Sequence, residues 1–367
     1  MNLFLPLLLT CLQQDVSATL KPIREAAEIH AMGAVVVTEE GVVATGFDGT
    51  HGAGREIAVD ANSLFHLGSC TKAMTATLAA TFIEEGKLSW DSTLVDVFPE
   101  LEEGMHADWK KATLSQMLSH TAGAPPDLSK FKMLRLRVHL GDGPIRERRL
   151  DAVKTLSEAA PLHAPGSTYL YSNWGFVMAG AMMERAGDAT WETLMRERLF
   201  EPLGMSSAGF GAPNQEDGPQ HPFGHNVKGE AREGLDNSAA MGPAGTAHAT
   251  MEDWGKFVQL HLQGAQGTEG LLLKPETFAQ LHAARPGTNK AYGAGWSLGT
   301  RAWSKGPLLT HSGSNTWWFC TTWVAPAEGF AVLVGSNRGG DAAARAVDSA
   351  CWALIQMQLK RAKEEDE

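Results

Sequence analysis

The 367-residue chain has few cysteines and a deficit of positive charge. Its four cysteines (Cys11, Cys70, Cys320 and Cys351) form no Cys-x-x-Cys pair and no Cys/His cluster, so neither a zinc framework nor a disulfide scaffold is expected. The 31 Lys and Arg against 42 Asp and Glu give a net charge of −11, and no Lys/Arg-rich stripe offsets it. This balance argues against nucleic acid as a partner. No Gly-rich nucleotide-binding pattern occurs, and no cofactor or metal is expected.

The chain also lacks a long hydrophobic run. The apolar stretch 2–9 is too short to span a bilayer as a stable helix. With the small residues at 16–18 it is typical of a secretory signal cleaved after Ala18, although no Lys or Arg precedes it. The sequence ending at Cys11 is also close to a bacterial lipoprotein box. We therefore expect an exported protein (periplasmic, cell-surface or secreted), with 1–18 as a signal segment or with a lipid anchor on Cys11. The alternative is an apolar N-terminus on a cytoplasmic protein.

What the chain does contain is a change of pattern along its length. Short β-branched and aromatic segments predict strands near both ends, at 34–37, 42–44, 296–300, 308–311, 317–324 and 330–334. Helical patterns and Pro/Gly loops alternate between them. A short helix is expected at 21–31 and a closing helix at 341–362. The Gly-, Pro- and Asn-rich segment 206–242 is expected to be a long surface loop.

These patterns predict an α+β fold of one catalytic domain, 19–362, followed by a charged tail, 363–367. A discontinuous α/β lobe, about 19–88 and 290–362, would hold an antiparallel sheet flanked by helices. A mostly helical lobe, about 89–289, would be inserted into it. The cleft between two such lobes is a common place for a site.

One stretch stands out chemically, Gly68-Ser69-Cys70-Thr71-Lys72, at the start of an apolar run that predicts a helix. Residues three apart share a helix face, so the Ser69 hydroxyl and the Lys72 amine would be neighbours. A buried Lys is costly unless it has partners or loses its proton, and either outcome suits a base that activates a serine. The alternative is a chance Ser and Lys at a helix start.

Tyr171 and Asn173 provide a second set of candidate side chains. They alternate in an extended turn and so point the same way. A phenol can shuttle a proton if a nearby cation favours phenolate, and an amide can donate to a substrate carbonyl and accept from Lys. The alternative is a Tyr packed under a loop and an Asn that caps the next helix.

The third candidate is the strand end at 308–315. Its edge can align a substrate, and the N–H groups of Ser314 and Ser69 could form an oxyanion hole. His311 would add a donor at the pocket rim, and the small Gly313 would leave room for substrate. The alternative is an ordinary strand-end turn.

Taken in order, Ser69-x-x-Lys72, Tyr171-x-Asn173 and His311-x-Gly313 resemble the motifs of the serine β-lactamase-like and penicillin-binding-protein-like hydrolases. The branch is that of class C β-lactamases, D-aminopeptidases and related esterases. The resemblance spans about 30–355. Further segments that match the family lie at 64–69, 118–123, 202–205 and 292–296.

The resemblance implies that Ser69 is the acylated nucleophile, Lys72 the adjacent base and Tyr171 the residue that trades protons with the leaving group. Asn173 would lie beside them. His311 stands where penicillin-recognising members carry Lys, which lowers the expectation of a potent β-lactamase. The substrate would be a small molecule or a short peptide, with amide, ester and β-lactam bonds all open.

Two other hypotheses compete with a serine hydrolase: a catalytically silent binding or scaffold protein of the same fold, and a cell-surface module that uses the 206–242 loop to bind a partner.

Gly295-Trp296-Ser297-Leu298-Gly299 fits the pattern of a nucleophile elbow, but further strand follows it. The Asp and His that should follow such a serine in the chain are also not found in that order. His221 and His225 are interpreted as loop residues, with metal binding as a minor alternative.

Overall fold

The structure, a computed structural model, describes residues 13–214, 220–287 and 291–366. Its strands are, in chain order, β1 (Gln14–Asp15), β2 (Ala31–Thr38), β3 (Gly41–Gly52), β4 (Arg55–Ala58), β5 (Phe65–His66), β6 (Gly209–Phe210), β7 (Gly224–His225), β8 (Ala231–Arg232), β9 (Ala247–Ala249), β10 (Ser297–Gly299), β11 (Leu308–Ser314), β12 (Phe319–Ala325) and β13 (Phe330–Ser336). The strands predicted near both ends of the chain are confirmed.

The helices are α1 (Ser17–Ala26), α2 (Thr71–Glu84), α3 (Leu94–Val97), α4 (Leu114–Leu118), α5 (Lys132–Leu140), α6 (Ile145–Glu158), α7 (Asn173–Gly187), α8 (Trp191–Met195), α9 (Gly242–Gly245), α10 (Met251–Ala265), α11 (Pro275–His282) and α12 (Asp341–Asp366). Short 3-10 turns occur at Gly68–Cys70, Pro99–Gly104, Trp109–Lys111, Ala239–Met241 and Pro326–Glu328, and a π turn at Arg196–Phe200. The helix predicted after Ser69 is α2, and the closing helix is α12.

The main sheet joins both ends of the chain in the order β1-β3-β2-β13-β12-β11-β10, with β4 added beside β3. The neighbouring strands run antiparallel except for the short β1, which is parallel to β3. In β2, Val35 and Val37 pack on the side of α10, whereas Ala34 and Val36 pack on the side of α1 and α12. Because both faces are covered, the strand is a continuous apolar run. A mixed sheet flanked by helices is the predicted fold class, which is confirmed.

Two predictions of local structure were wrong. The first helix lies at Ser17–Ala26 instead of 21–31, and strand β2 already begins at Ala31. The helix starts within the presumed signal segment, where the Asp15 carboxylate accepts from the Ser17 N–H at 2.9 Å just before the first turn.

The segment 206–242 is also more than a surface loop. It holds the short strands β6, β7 and β8, and its side chains Phe223 and His225 are buried. His225 lies under the sheet edge, where its Nδ1 is 2.8 Å from the Asn337 carbonyl oxygen.

The helical lobe is built by α3 to α9, whereas α10, inside the predicted 89–289 insertion, packs on the sheet itself. The predicted charged tail, 363–367, begins as the last turn of α12. Among the described residues, no helix is long and apolar enough to cross a membrane. Most of the predicted signal segment, including Cys11, lies outside the described residues, and Ala18 lies within α1.

Candidate active site

The predicted nucleophile Ser69 lies in the 3-10 turn that leads directly into α2. Gly68 before it has a φ of +47°, and a Cβ at this position would lie 2.3 Å from the backbone nitrogen of Ser314. Only glycine allows this close approach. The turn therefore places the N-terminal end of α2 against the end of β11.

Lys72 is fully buried one turn later, and its Nζ has three polar neighbours. It lies 2.6 Å from the Ala244 carbonyl oxygen, 2.7 Å from Oδ1 of Asn173 and 3.1 Å from Oγ of Ser69. Burial lowers the pKa of Lys72 to about 7. When neutral, the amine donates its two hydrogens to the two carbonyl-type oxygens, and its lone pair is left facing the Ser69 hydroxyl. The geometry is that of a base.

Tyr171 completes the cluster on the other side of the nucleophile. Its hydroxyl donates to Ser69 Oγ at 2.8 Å, and its ring centroid lies 4.9 Å from Lys72 Nζ. Burial raises the pKa of Tyr171, so the side chain is a neutral phenol at physiological pH. The phenolate considered from sequence is therefore not favoured, and Tyr171 is arranged to give a proton.

Asn173 begins α7, and the hydroxyl of Ser172 caps that helix by accepting from the N–H groups of Trp174 and Gly175. Tyr171 and Asn173 do point the same way, as the alternation predicts. His120 supports this turn: its Nδ1 accepts from the Ser172 N–H at 3.1 Å, and its ring lies 4.2 Å from the Tyr171 ring.

The end of β11 forms the opposite wall of the site. A Cβ on Gly313 would lie 1.9 Å from the Leu67 carbonyl oxygen, so glycine is needed for β11 to approach the nucleophile turn. Ser314 follows with an exposed side chain, and its Oγ donates to the Trp318 carbonyl oxygen. Its backbone nitrogen is the one that lies against Gly68, the residue before Ser69. The oxyanion hole predicted from the N–H groups of Ser69 and Ser314 requires this close approach of β11 to the nucleophile turn.

His311 is placed differently from the prediction. It is 6% exposed, and both ring nitrogens already have partners. Nδ1 lies 2.7 Å from the Ser312 carbonyl oxygen, and Nε2 lies 3.1 Å from the Tyr292 hydroxyl. Burial lowers the pKa of His311 to about 4, so the ring is neutral near pH 7. It therefore positions the strand edge and is not a free donor at the rim.

Three residues whose roles sequence reasoning missed connect the nucleophile turn with the end of β11: the buried His66 and Asn315 and the partly buried Asp236. His66 Nδ1 accepts from the Gly68 N–H at 3.0 Å, and its Nε2 lies 2.8 Å from Oδ1 of Asp236. The same Oδ1 accepts from the side-chain amide of Asn315, the residue after Ser314, at 2.9 Å. One carboxylate oxygen therefore holds both the nucleophile turn and the end of β11.

Signals for this network were weak in the sequence. His66 and Asn315 adjoin the recognised motifs, which could have drawn attention to them. Asp236 lies in the Gly- and Asn-rich segment that was interpreted as a surface loop, and nothing local distinguishes it from other acidic residues there.

The thiols of Cys70 and Cys320 lie 3.6 Å apart beneath the site, and both are buried. Burial raises the pKa of Cys70 well above its ordinary value, so this neighbour of Ser69 is an unreactive thiol.

Ser297 of the Gly-x-Ser-x-Gly pattern pairs with Thr310 in the sheet and forms no nucleophile elbow. The described residues contain no group of three or more His, Cys, Asp or Glu side chains that could hold a metal ion.

A sheet flanked by helices, with a Ser-Lys-Tyr cluster between the sheet and a helical lobe, defines the class of serine β-lactamase-like and penicillin-binding-protein-like proteins. The chain belongs to the Beta-lactamase family, whose model matches residues 16–356. It is accordingly a hydrolase of this family.

Named relatives span several activities. Penicillin-binding protein 4 of Amycolatopsis lactamdurans is 26% identical over 303 residues, which cover 78% of this chain and 75% of the relative. Lovastatin esterase of Penicillium rubens is 26% identical over 238 residues, 58% of each chain, so the match spans less than two thirds of that relative. The octameric penicillin-binding protein homologue from Pyrococcus abyssi shares the fold, with a TM-score of 0.73 and 18% identity over 92% of this chain and 76% of that one.

Proposed function

We propose that this protein is a carboxyl-ester hydrolase that acts through an acyl-enzyme on Ser69 and prefers neutral acyl substrates. The observation that carries the proposal is the neutral, fully hydrogen-bonded His311 on the strand that faces the nucleophile. A penicillin carboxylate would gain no attraction from this side chain. A neutral ester needs none, because the oxyanion hole and the nucleophile act on its carbonyl alone.

In the proposed reaction, neutral Lys72 takes the Ser69 proton as Oγ attacks the ester carbonyl. The carbonyl oxygen becomes an oxyanion bound by the N–H groups of Ser69 and Ser314. As the bond between carbon and the alcohol oxygen breaks, Tyr171 gives its proton to the leaving alkoxide, and Lys72 returns a proton to Tyr171. Water then attacks the acyl-enzyme, with the same groups acting in reverse to free the acid and Ser69.

The intact hydrogen-bond geometry favours this proposal over a silent scaffold of the same fold. A scaffold has no need for a buried lysine whose desolvation is unfavourable, or for two side chains that converge on one serine hydroxyl. One relative is named a lovastatin esterase, which agrees with ester chemistry. We do not propose the substrate in that name for this protein.

The test is a substrate panel with wild type and Ser69→Ala. We expect hydrolysis of p-nitrophenyl acetate and butyrate, weaker turnover of nitrocefin and D-amino-acid anilides, and loss of all of these in Ser69→Ala. A phosphonate or a slow ester should add the mass of its phosphonyl or acyl group, without the leaving group, to the wild type only. Faster turnover of nitrocefin than of the esters would overturn the ester assignment, and wild-type activity in Ser69→Ala would overturn the mechanism.

We also propose export as a lipoprotein anchored through Cys11, in preference to a signal cut after Ala18. Val16 is buried and its N–H donates to Thr45, while the Ser17 hydroxyl accepts from the Phe47 N–H. A cut after Ala18 would remove these contacts, whereas processing at Cys11 would keep them. The intact mass of protein made in a lipoprotein-processing host, compared with Cys11→Ala, tests this. A mature chain that begins at Thr19 would contradict it.

A further inference from the structure

A groove of about 770 Å³ lies where the end of α10 and one face of α11 meet the edge strand β10 and the start of β11. Its volume is in the range of small-molecule sites. Ser69, Lys72 and Tyr171 do not line it. Much of its lining is small or apolar, namely Ala265, Ala279, Leu298, Pro307, Leu309 and Pro326. The groove is therefore a second candidate site, separate from the nucleophile.

His282 brings a hydrogen-bond acceptor to this groove, because a chain of bonds fixes its tautomer. Thr77 Oγ1 lies 2.9 Å from the Ala73 carbonyl oxygen, a contact that places the hydroxyl hydrogen between the two oxygens. Nε2 of His261, also 2.9 Å from Thr77 Oγ1, is then a donor. Burial lowers the pKa of both histidines, so each ring is neutral near pH 7.

The second nitrogen of His261, Nδ1, can therefore only accept, and it accepts from Nε2–H of His282 at 2.9 Å. A neutral ring carries one hydrogen, so Nδ1 of His282 is an acceptor as well. It has no hydrogen-bond partner among the described residues. A ligand that pairs with His282 must bring a donor.

The two other polar side chains that line the groove also present acceptors. Gln266 donates through Nε2 to the Pro326 carbonyl oxygen at 3.2 Å, which leaves its Oε1 without a partner among the described residues. Glu276 is exposed and forms no ion pair within the described part of the chain. The described lining residues include no Lys or Arg. The polar part of the groove therefore combines acceptors with one negative charge.

The helix ends at the groove reinforce this charge. The 15-residue helix α10 ends beside it, and the last turn of α10 contains no basic residue. The C-terminal end of a helix carries a partial charge of about −0.5. Helix α11 begins at the groove with the opposite partial charge, but Glu276 in its first turn carries a full negative charge. The groove therefore favours a cation, as does the net charge of −11.

We propose that this groove binds a small apolar amine in its cationic form, with the ammonium group on the Glu276 carboxylate and the hydrocarbon or aromatic body on Ala279 and Leu298. An ammonium group has three donors and no acceptor, which matches a polar lining made of acceptors. A carboxylate ligand of the same shape would be repelled by Glu276 and would find no donor on the lining side chains. The proposal does not depend on the ester assignment, because no catalytic residue takes part.

The first experiment compares three naphthyl probes of similar shape by isothermal titration calorimetry. They are 2-(2-naphthyl)ethylamine, 2-(2-naphthyl)ethanol and 2-naphthylacetate. We expect the amine to bind the wild type about fivefold more tightly than the alcohol, the upper range for one exposed ion pair, and the acid to bind more weakly than either. Equal Kd values for the amine and the alcohol, or tightest binding of the acid, would overturn the proposal.

Two variants test the position of the ligand at exposed residues of α11. Glu276→Gln removes the charge with little change of shape, and it should bring the Kd of the amine within about twofold of that of the alcohol. Ala279→Trp fills the groove and should weaken the binding of both probes at least tenfold. The matched controls Glu103→Gln and Ala107→Trp alter exposed residues of the helical lobe and should bind as the wild type does.

The thermal unfolding midpoints of all four variants should stay near that of the wild type, which separates lost binding from lost folding. If either α11 variant binds the amine as tightly as the wild type does, the amine does not occupy this groove and the proposal is wrong.

A thiol-protection experiment locates the amine independently. Ala279→Cys in a Cys11→Ser background provides an exposed thiol, since Cys70, Cys320 and Cys351 are buried. Saturating naphthylethylamine should slow its reaction with methyl methanethiosulfonate at least fivefold, whereas Ala107→Cys in the same background should react at an unchanged rate. Equal rates at position 279 with and without the amine would overturn the proposal even if calorimetry detects binding, because the amine would then bind elsewhere.

Discussion

Nζ of Lys72 lies 3.1 Å from Oγ of Ser69, and the other two polar neighbours of this amine, Asn173 Oδ1 and the Ala244 carbonyl oxygen, can only accept. Both hydrogens of the neutral amine are therefore donated to these two oxygens, and its lone pair points to the Ser69 hydroxyl. This geometry supports the proposal that Lys72 is the base, and the lowered pKa of Lys72 makes the neutral amine accessible near pH 7.

The first prediction concerns the pH dependence of ester hydrolysis. The base must be neutral, and the pKa of Lys72 is lowered to about 7, so kcat/KM should rise with pH and level off above about 7. Below the pKa it should fall roughly tenfold per pH unit, as expected for one essential ionisation. A pH–rate profile on p-nitrophenyl acetate measures this. Lys72→Ala should retain only residual turnover without that limb, and a limb centred near 10 would contradict the assignment.

The second prediction separates the proton donor from the base. Tyr171→Phe removes the hydroxyl that donates to Ser69 Oγ, and it should lower kcat by ~10²–10³, typical for loss of a general acid. The loss should be larger for ethyl esters than for p-nitrophenyl esters, because a nitrophenolate leaves without a proton. Tyr169→Phe, a half-buried neighbour outside the cluster, is the control. Equal losses on both esters would exclude the leaving-group role.

The third prediction tests whether Asp236 positions the oxyanion hole. Both of its contacts to the site, from His66 and Asn315, are made by the single oxygen Oδ1. Asp236→Asn keeps an acceptor there and should retain kcat within a few-fold. Asp236→Ala removes it and should lower kcat by ~10²-fold with KM little changed, since small displacements of catalytic groups are costly.

The rate of phosphonate inactivation gives an independent measure of the Asp236 variants, because the phosphoryl oxygen occupies the oxyanion hole. It should fall in parallel with kcat. If Asp236→Asn and Asp236→Ala lose activity equally, the negative charge is needed and not the acceptor. If Asp236→Ala keeps wild-type kcat, the network has no positioning role.

Much of the fold could be predicted because its signals are local. The β-branched and aromatic residues of β12 and β13 and the apolar run of α2 lie within the elements that they define. The start of α1 was missed because Ser17 and Ala18, its first residues, were assigned to the signal segment 1–18. The 206–242 segment was misinterpreted because its contacts are with β11, β5 and the sheet edge, far away in sequence.

The same difference between local signals and contacts that are distant in sequence applies to the site. Ser69, Lys72, Tyr171 and Asn173 converge as their spacing suggests, since each is fixed by a short motif. The role of His311 depended on Tyr292, 19 residues earlier, whose hydroxyl lies beside its Nε2. No pattern in the chain shows that a motif residue is buried and already paired.

The last prediction tests the basis of substrate preference. His311→Lys places a cation where the wild type has a neutral ring, and it should raise the ratio of nitrocefin to ester kcat/KM by about tenfold, equivalent to ~1.4 kcal/mol. The new charge also disfavours protonated Lys72, so the rising limb of the pH–rate profile should move to lower pH. His311→Gln changes the side chain without adding charge and should leave both the ratio and the limb in place. If Gln and Lys raise nitrocefin turnover equally, then the shape of the buried histidine excludes β-lactams. If neither does, selectivity against them arises elsewhere in the cleft. Only the combined shift in selectivity and pH dependence, confined to the Lys variant, ties the ester preference to the missing cation.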